Sequence, residues 1–273
     1  MKLGLFASAW AFGGLDACRR ELEGGVFDGI EGPPPESASE VSALRQSRVA
    51  YIAEICSGGS YAPASSVSFE RHAEDLRAQV TRALECGALF CTCLVGSDSW
   101  PLAVAVDFFG RALSLGKELG AELSFETHRS RPTFHPWVTS ELLRALPELR
   151  VTCDFSHWCV VCERLPDDDA LALPIERARH LHARVGYAQG PQVPDPRAPE
   201  FELELAAHEG WWRRIAQSVL ARGPGLVSVT PEFGPDGYLQ RAPYTQRPVA
   251  DLAEINRWMA IRQRQNLAPV VER

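Results

Sequence analysis

Residues 121–158 read AELSFETHRSRPTFHPWVTSELLRALPELRVTCDFSHW, and they hold one repeat of the fold. The apolar run AELSFET ends near a carboxylate, Glu126. A stretch with helical apolar spacing follows over 138–146, and a second apolar run, RVTCDFS, reaches Asp154. Strands apolar nearly throughout suit a parallel sheet covered by helices. The alternation continues in both directions, with strand-like runs at 2–7, 26–32, 49–56 and 89–96 upstream and at 179–186 and 226–233 downstream. Helix candidates lie at 15–22, 38–46, 70–85, 102–119, 168–178, 202–220 and 249–262. Eight strands each followed by a helix predict one α/β domain over 1–273, a single (β/α)8 TIM barrel with right-handed crossovers. The alternative is an open doubly wound sheet, but no GxGxxG fingerprint follows the first strand.

Composition narrows the function. With 45% hydrophobic and 23% charged residues the chain reads as globular, and no apolar stretch reaches membrane-spanning length. A net charge of −7 argues against nucleic acid or an anionic membrane as partner. The N-terminal MKLGLFASAWAFGG could be a short signal peptide, but it also reads as the first buried strand, and that reading implies a cytoplasmic protein. Only Lys2 and Lys117 are lysines, which leaves Schiff-base chemistry almost no residue and anion binding to arginine. Cys91, Cys93 and Cys153 fall inside apolar runs as small hydrophobes. Cys159 and Cys162 form a lone CxxC, better read as helix packing than as half a zinc site.

Four candidate metal ligands stand near the ends of four successive strands: Glu126, Asp154, His182 and Glu232. In a barrel those ends share one face, where functional side chains gather. Each alone has a structural reading as a helix cap, an acceptor of backbone N–H groups or a core histidine. Together they would bury several charges against one another, which is costly unless a cation neutralises them. Three carboxylates and one imidazole suit a single divalent ion, Mn²⁺ first, with Mg²⁺, Co²⁺ or Zn²⁺ as alternatives.

These residues resemble the xylose-isomerase-like barrels, a group that includes sugar-phosphate isomerases and epimerases, ketose 3-epimerases and endonuclease IV. The resemblance covers the whole chain in strand count and is densest from Phe125 onward. In the ketose epimerases of this group one ion is held by a Glu, the Asp of a DxxH, the second His of an HxH and a final Glu. Those positions are matched here by Glu126, by Asp154 of Asp154-Phe-Ser-His157, by His182 of His180-Leu-His182 and by Glu232. FDGIEG, with Glu31, looks like the second-strand segment of these enzymes. Two departures stand out. The group's arginine six residues beyond the metal histidine is Ala188 here, with Arg184 as a substitute. Asp195-Pro-Arg197 replaces the DxH of endonuclease IV, and LVGSDSW has no histidine, which puts a trinuclear zinc site and DNA repair in doubt.

The resemblance implies a sugar, sugar-phosphate or polyol isomerase or epimerase that moves protons through a metal-stabilised enediolate. Glu126 and Glu232 would act as bases on the two faces of the substrate, and His157 would bind the oxygen that gains charge, or else bond to a ligand carboxylate. Arg184, Glu31, Trp10 and Trp100 are the substrate-binding candidates; Arg184 could instead form a buried ion pair with Glu31 or another acid. Trp137 and Trp158 also follow strand ends, and His128, Arg129 and Arg131 follow Glu126 directly. The loop after the seventh strand, YAQGPQVPDPRAPE, has the composition of a substrate cover. Trp211 and Trp212 suit packing against the barrel or against a second copy in a homo-oligomer. The alternatives are a lyase or dehydratase acting on a keto acid or keto sugar, and a non-catalytic barrel that only retains a metal.

Overall fold

The computed structural model describes residues 2–223, 225–235 and 237–271. Eight strands close into a parallel barrel in sequence order: β1 (Lys2–Ser8), β2 (Gly29–Gly32), β3 (Ala50–Cys56), β4 (Cys91–Leu94), β5 (Leu123–Glu126), β6 (Val151–Cys153), β7 (Ala178–Ala183) and β8 (Leu226–Pro231). β1 pairs with β8, so no sheet edge is left. The helices around it are α1 (Ala9–Phe12), α2 (Leu15–Glu23), α3 (Ala38–Ser47), α4 (Phe69–Cys86), α5 (Leu102–Leu119), α6 (Pro136–Ala145), α7 (Ser156–Val161), α8 (Asp168–Glu176), α9 (Glu202–Ala221) and α10 (Leu252–Val271). Among the described residues no helix is long and apolar enough to cross a membrane.

Two differences from the sequence reading have physical causes, and one open alternative is resolved. α1 and α7 are each under two turns, too short for periodicity to register. α10 runs nine residues past 262 because Ile255, Met259, Gln263, Leu267 and Val271 form one buried i,i+4 stripe. Gln263 breaks that stripe in polarity but not in packing, since its amide donates to the Met259 sulfur at 3.2 Å. Trp211 and Trp212 are buried within the chain, Trp211 edge-on to Phe155, so they pack on the barrel and need no second copy to cover them.

The barrel interior is layered. Phe6, Ile52 and Phe90 form an apolar plug against Ala50 and Leu226, the first residues of β3 and β8. Above it the hydroxyl of Thr152 bonds to those of Thr92 (2.9 Å) and Ser124 (2.8 Å). Buried hydroxyls thereby satisfy one another, and the next layer up carries charge.

Candidate metal centre

Each strand of the second half of the ring delivers one acid or imidazole. Glu126 is the last residue of β5, His182 lies in β7, and Asp154 and Glu232 directly follow β6 and β8. One ligand atom from each lies within 4.8 Å of the others, and all four residues are buried. Their backbones are pinned: the Asp154 amide donates to Thr127 Oγ1 at 2.8 Å, and the Glu126 carbonyl accepts from the Thr133 hydroxyl.

Local structure aims each donor. Asp154 Oδ1 accepts the Ser156 amide at 3.1 Å and the Ser156 hydroxyl, so the first turn of α7 fixes one carboxylate oxygen. Arg184 takes the other oxygen through Nη2. The same guanidinium reaches the Ser156 hydroxyl through Nε at 3.1 Å and, through Nη1, the Glu232 carbonyl at 3.3 Å and Glu232 Oε2 at 3.6 Å. It stands two residues beyond His182, so it shares that residue's face of the chain and bridges the ligands on either side of β7.

Glu31, at the end of β2, bonds two imidazoles: its oxygens accept from Nε2 of His180 at 3.0 Å and Nε2 of His182 at 3.1 Å. His180 Nδ1 accepts from the Ser228 hydroxyl at 2.7 Å. With Nε2 of His182 so engaged, Nδ1 points at Glu232 Oε2 (3.0 Å) and Glu126 Oε1 (3.7 Å), and it is a buried nitrogen without a well-formed hydrogen bond. Burial alone would lower the His182 pKa, but Glu232, Glu31 and Glu126 hold it well above the usual histidine range. Burial opposes ionisation of Glu31 too, and His182 and His180 nevertheless keep it well below the usual carboxylate range. Glu126 is pushed up to about 7 by burial, against the pull of His182. Burial likewise raises Asp154, against the pull of Arg184. A cation at the centre would remove these conflicts, and the donors fit a hard or borderline divalent ion: three carboxylates and one Nδ1 whose partner nitrogen is already oriented.

A cavity of about 230 Å³ opens above the centre, small beside the ~300–1,000 Å³ of sites for drug-sized ligands. Glu126, Glu232 and Arg184 reach its wall. Trp10 lines it as well, edge-on to Tyr238 at 5.0 Å; a Cβ at Gly234 would collide with the Trp10 ring, so the tight chain beyond β8 needs glycine there. Other sequence candidates stand elsewhere. Glu31 is off the wall, committed to the two histidines. Trp100 packs in an aromatic cluster with Phe69 (5.6 Å), Phe108 and His72 (both 5.1 Å), because its ring folds back over α4 and α5. Trp158 is buried, donating to the Thr133 carbonyl, and Trp137 is a surface ring under Arg164. His157 is also off the wall: its Nε2 accepts from Arg184 Nη2 at 2.7 Å and lies 3.6 Å from Asp154 Oδ2. Burial and the neighbouring His128 hold its pKa well below the usual range, so its ring is neutral. Arg184 pairs with Asp154 and Glu232 instead of Glu31.

Of the residues after Glu126, His128 and Arg129 reach the cavity, whereas Arg131 is a buried brace donating to the carbonyls of Ser57 (3.0 Å), Gly96 (2.9 Å) and Ser60. The loop after β7 does not cover the cavity. Its Gln192 side chain clamps the Gly234 amide (2.8 Å) and carbonyl (3.2 Å) and so shapes the chain after Glu232. Cys159 is buried in α7 beside His208, and Cys162 is half-buried beyond it.

The wall residues that escaped the sequence reading include Glu54, Tyr61 and Tyr238. Glu54 left a signal, as the one charge within the apolar run of β3. Burial, then Glu232 and Glu31, push its pKa up to about 8, and it is hydrogen-bonded to Tyr61. Tyr238 comes from a loop with no periodicity to betray it.

No family model matches the sequence, and no curated protein matches it. Solved structures do. An IolI protein with a bound zinc atom aligns at a TM-score of 0.66 and 11% identity, over 99% of this chain and 98% of that one. This chain shares the (β/α)8 barrel fold of these structures. A D-allulose 3-epimerase from Methylomonas sp. aligns at 0.66 and 12% identity, over 97% and 98% of the two chains. Endonuclease IV from Thermus thermophilus aligns at 0.59 and 15%, over 98% and 100%. The fold is thus shared among proteins of different chemistry, and the site must carry the functional argument.

Proposed function

We propose that the protein is a divalent-metal-dependent isomerase or epimerase of a small sugar or sugar derivative, with Glu126, Asp154, His182 and Glu232 holding one ion, Mn²⁺ by preference. The observation that carries this reading is the double placement of Glu126 and Glu232, which belong both to the ligand cluster and to the cavity wall. A divalent ion held there would acidify a substrate C–H flanked by carbonyl and hydroxyl oxygens. Glu126 and Glu232 come from β5 and β8, on either side of Asp154 and His182, so each carboxylate can take or return a proton from its own side of the substrate. Use of both gives epimerisation; return of the proton to the neighbouring carbon gives isomerisation. Arg184 keeps the Asp154 and Glu232 carboxylates in place, and His157 fixes Arg184 in turn. Trp10 offers an apolar face to sugar C–H groups.

The lyase alternative would use the same acids plus an anion-binding arginine. Arg184 is already committed to two carboxylates, which counts against it in that role. Conversion of a sugar by the Mn²⁺-loaded protein in D₂O is the test. Proton transfer predicts deuterium at the carbon next to the carbonyl, while product without solvent label would refute the two-glutamate route.

A further inference from the structure

Among the described residues, one cation on the cavity wall has no carboxylate partner. Arg129 lies half-buried two residues before the brace Arg131, and among the described residues no carboxylate is within ion-pair distance of its guanidinium. Its contact is with a tyrosine: the Arg129 guanidinium lies 5.0 Å from the Tyr238 ring centroid and shares a hydrogen bond with that side chain, and Arg184 lies 4.8 Å from the same ring. Tyr238 therefore orients Arg129 without neutralising it.

The loop that presents Arg129 is strained. Ser130 sits at φ +69°, a left-handed conformation unusual for a residue with a side chain. It is held there by the Arg131 amide bonded to the His128 carbonyl at 3.2 Å and by the Arg131 guanidinium in its cage of carbonyls. Strain of this kind persists where the surroundings fix it, and it gathers at ligand sites.

Charge counting separates Arg129 from Arg184. With a divalent ion in place, its two charges and that of Arg184 would balance Glu126, Asp154 and Glu232, while the ionised Glu31 lies off the wall, hydrogen-bonded to His180 and His182. Glu54, the other acid on the wall, shares a hydrogen bond with Tyr61 and makes no ion pair with Arg129. Among the described residues Arg129 is left as the wall cation with no carboxylate within ion-pair distance.

We propose that Arg129 is a specificity-determining residue that binds an anionic group on the substrate, so that the site takes a small hydroxylated compound bearing a carboxylate or a phosphate in preference to a neutral sugar. This rests on the reading of the site as a metal-dependent enzyme and names the class of its substrate. A guanidinium pairs with either anion through two parallel N–H···O bonds, and at a desolvated cavity wall such a pair discriminates strongly against an uncharged hydroxyl.

The test uses the Mn²⁺-loaded protein and a panel of matched triplets, each sugar supplied as the free sugar, the corresponding sugar acid and the sugar phosphate, with dissociation constants measured by calorimetry. At least one acid or phosphate should bind tenfold or more tightly than its neutral counterpart, and Arg129→Gln should erase that advantage while keeping its bound metal. The acid and phosphate arms tell the two anions apart. A panel in which only neutral members bind, in which no acid or phosphate binds, or in which the preference survives Arg129→Gln overturns the proposal. Metal content of the same samples reports separately on the underlying reading: a protein that binds manganese but prefers neutral sugars loses only the role of Arg129. A protein that binds no manganese loses the metal enzyme itself, and the Arg129→Gln comparison still stands as a binding measurement.

Discussion

The two halves of the barrel mouth are built differently. From β5 to β8 each strand end contributes one candidate ligand, and Arg184 bridges two of them. From β1 to β4 the wall is aromatic and largely uncharged: Trp10 and Tyr61 face the cavity, and the two acids on this side, Glu31 and Glu54, stand outside the four-residue cluster and are held in opposite protonation states. Glu31 stays ionised against burial because two imidazoles grip it, and Glu54 keeps its proton because burial is reinforced by Glu232, Glu31 and Glu126 and opposed only weakly by His182. A buried carboxylate is thus assigned its role by its partners, since burial acts on both.

The largest expected effect falls on the charged half. At saturating Mn²⁺, Glu126→Gln and Glu232→Gln should each lower kcat roughly a thousandfold, the order of a lost general base, with KM little changed and the ion held more weakly. Near-full turnover in either variant with metal bound would dissolve the distinction between the halves. Glu31 crosses it, since it lies on β2 and serves β7. Its replacement in Glu31→Gln should weaken Mn²⁺ binding roughly 10- to 100-fold by calorimetry, because His182 loses the acceptor that fixes its Nε2 proton. Unchanged affinity would make Glu31 a packing residue.

The two kinds of acid also set a pH dependence for the metal-free protein. Glu126 (about 7), Glu54 (about 8) and His182 (well above its usual range) hold protons in the fold that the unfolded chain has released by pH 6.5. Their stabilising effect is present below the unfolded values and is lost as pH rises through the folded ones. Each proton retained between pH 6.5 and 7.5 costs about 1.4 kcal/mol over that interval. The other six histidines, His72, His128, His135, His157, His180 and His208, are held below their usual range in the fold and act in the opposite sense, an effect that fades above about pH 7 as the unfolded imidazoles lose their protons. Denaturant melts should therefore show falling stability above about pH 7 without metal and a flatter profile with Mn²⁺; a rise there without metal would contradict these protonation states. The smallest effect separates two tryptophans. Trp100→Phe should cost roughly 1 kcal/mol of stability and leave ligand affinity alone, and a loss of affinity would move the cavity boundary.

Much of the charged half was legible in the sequence and little of the aromatic half. Glu126, Asp154, His182 and Glu232 each sit where an apolar run stops, and strand ends of a parallel barrel must share a face, so a one-dimensional pattern carries three-dimensional content. Tyr238 and Tyr61 come from loops, whose positions depend on contacts such as Gln192 with Gly234 that no periodicity encodes. Trp10 and Trp100 both follow strand ends, yet one faces the cavity and the other folds back on α4 and α5. Strand-end position fixes where a side chain begins, while rotamer and neighbours decide where it ends.

The central claim is that four residues from four adjacent strand ends hold one divalent ion. Anomalous diffraction from crystals grown with Mn²⁺ tests it most directly. A single strong peak in contact with Glu126, Asp154, His182 and Glu232 is the predicted result. No peak there, with manganese absent or bound elsewhere on the molecule, would contradict the account.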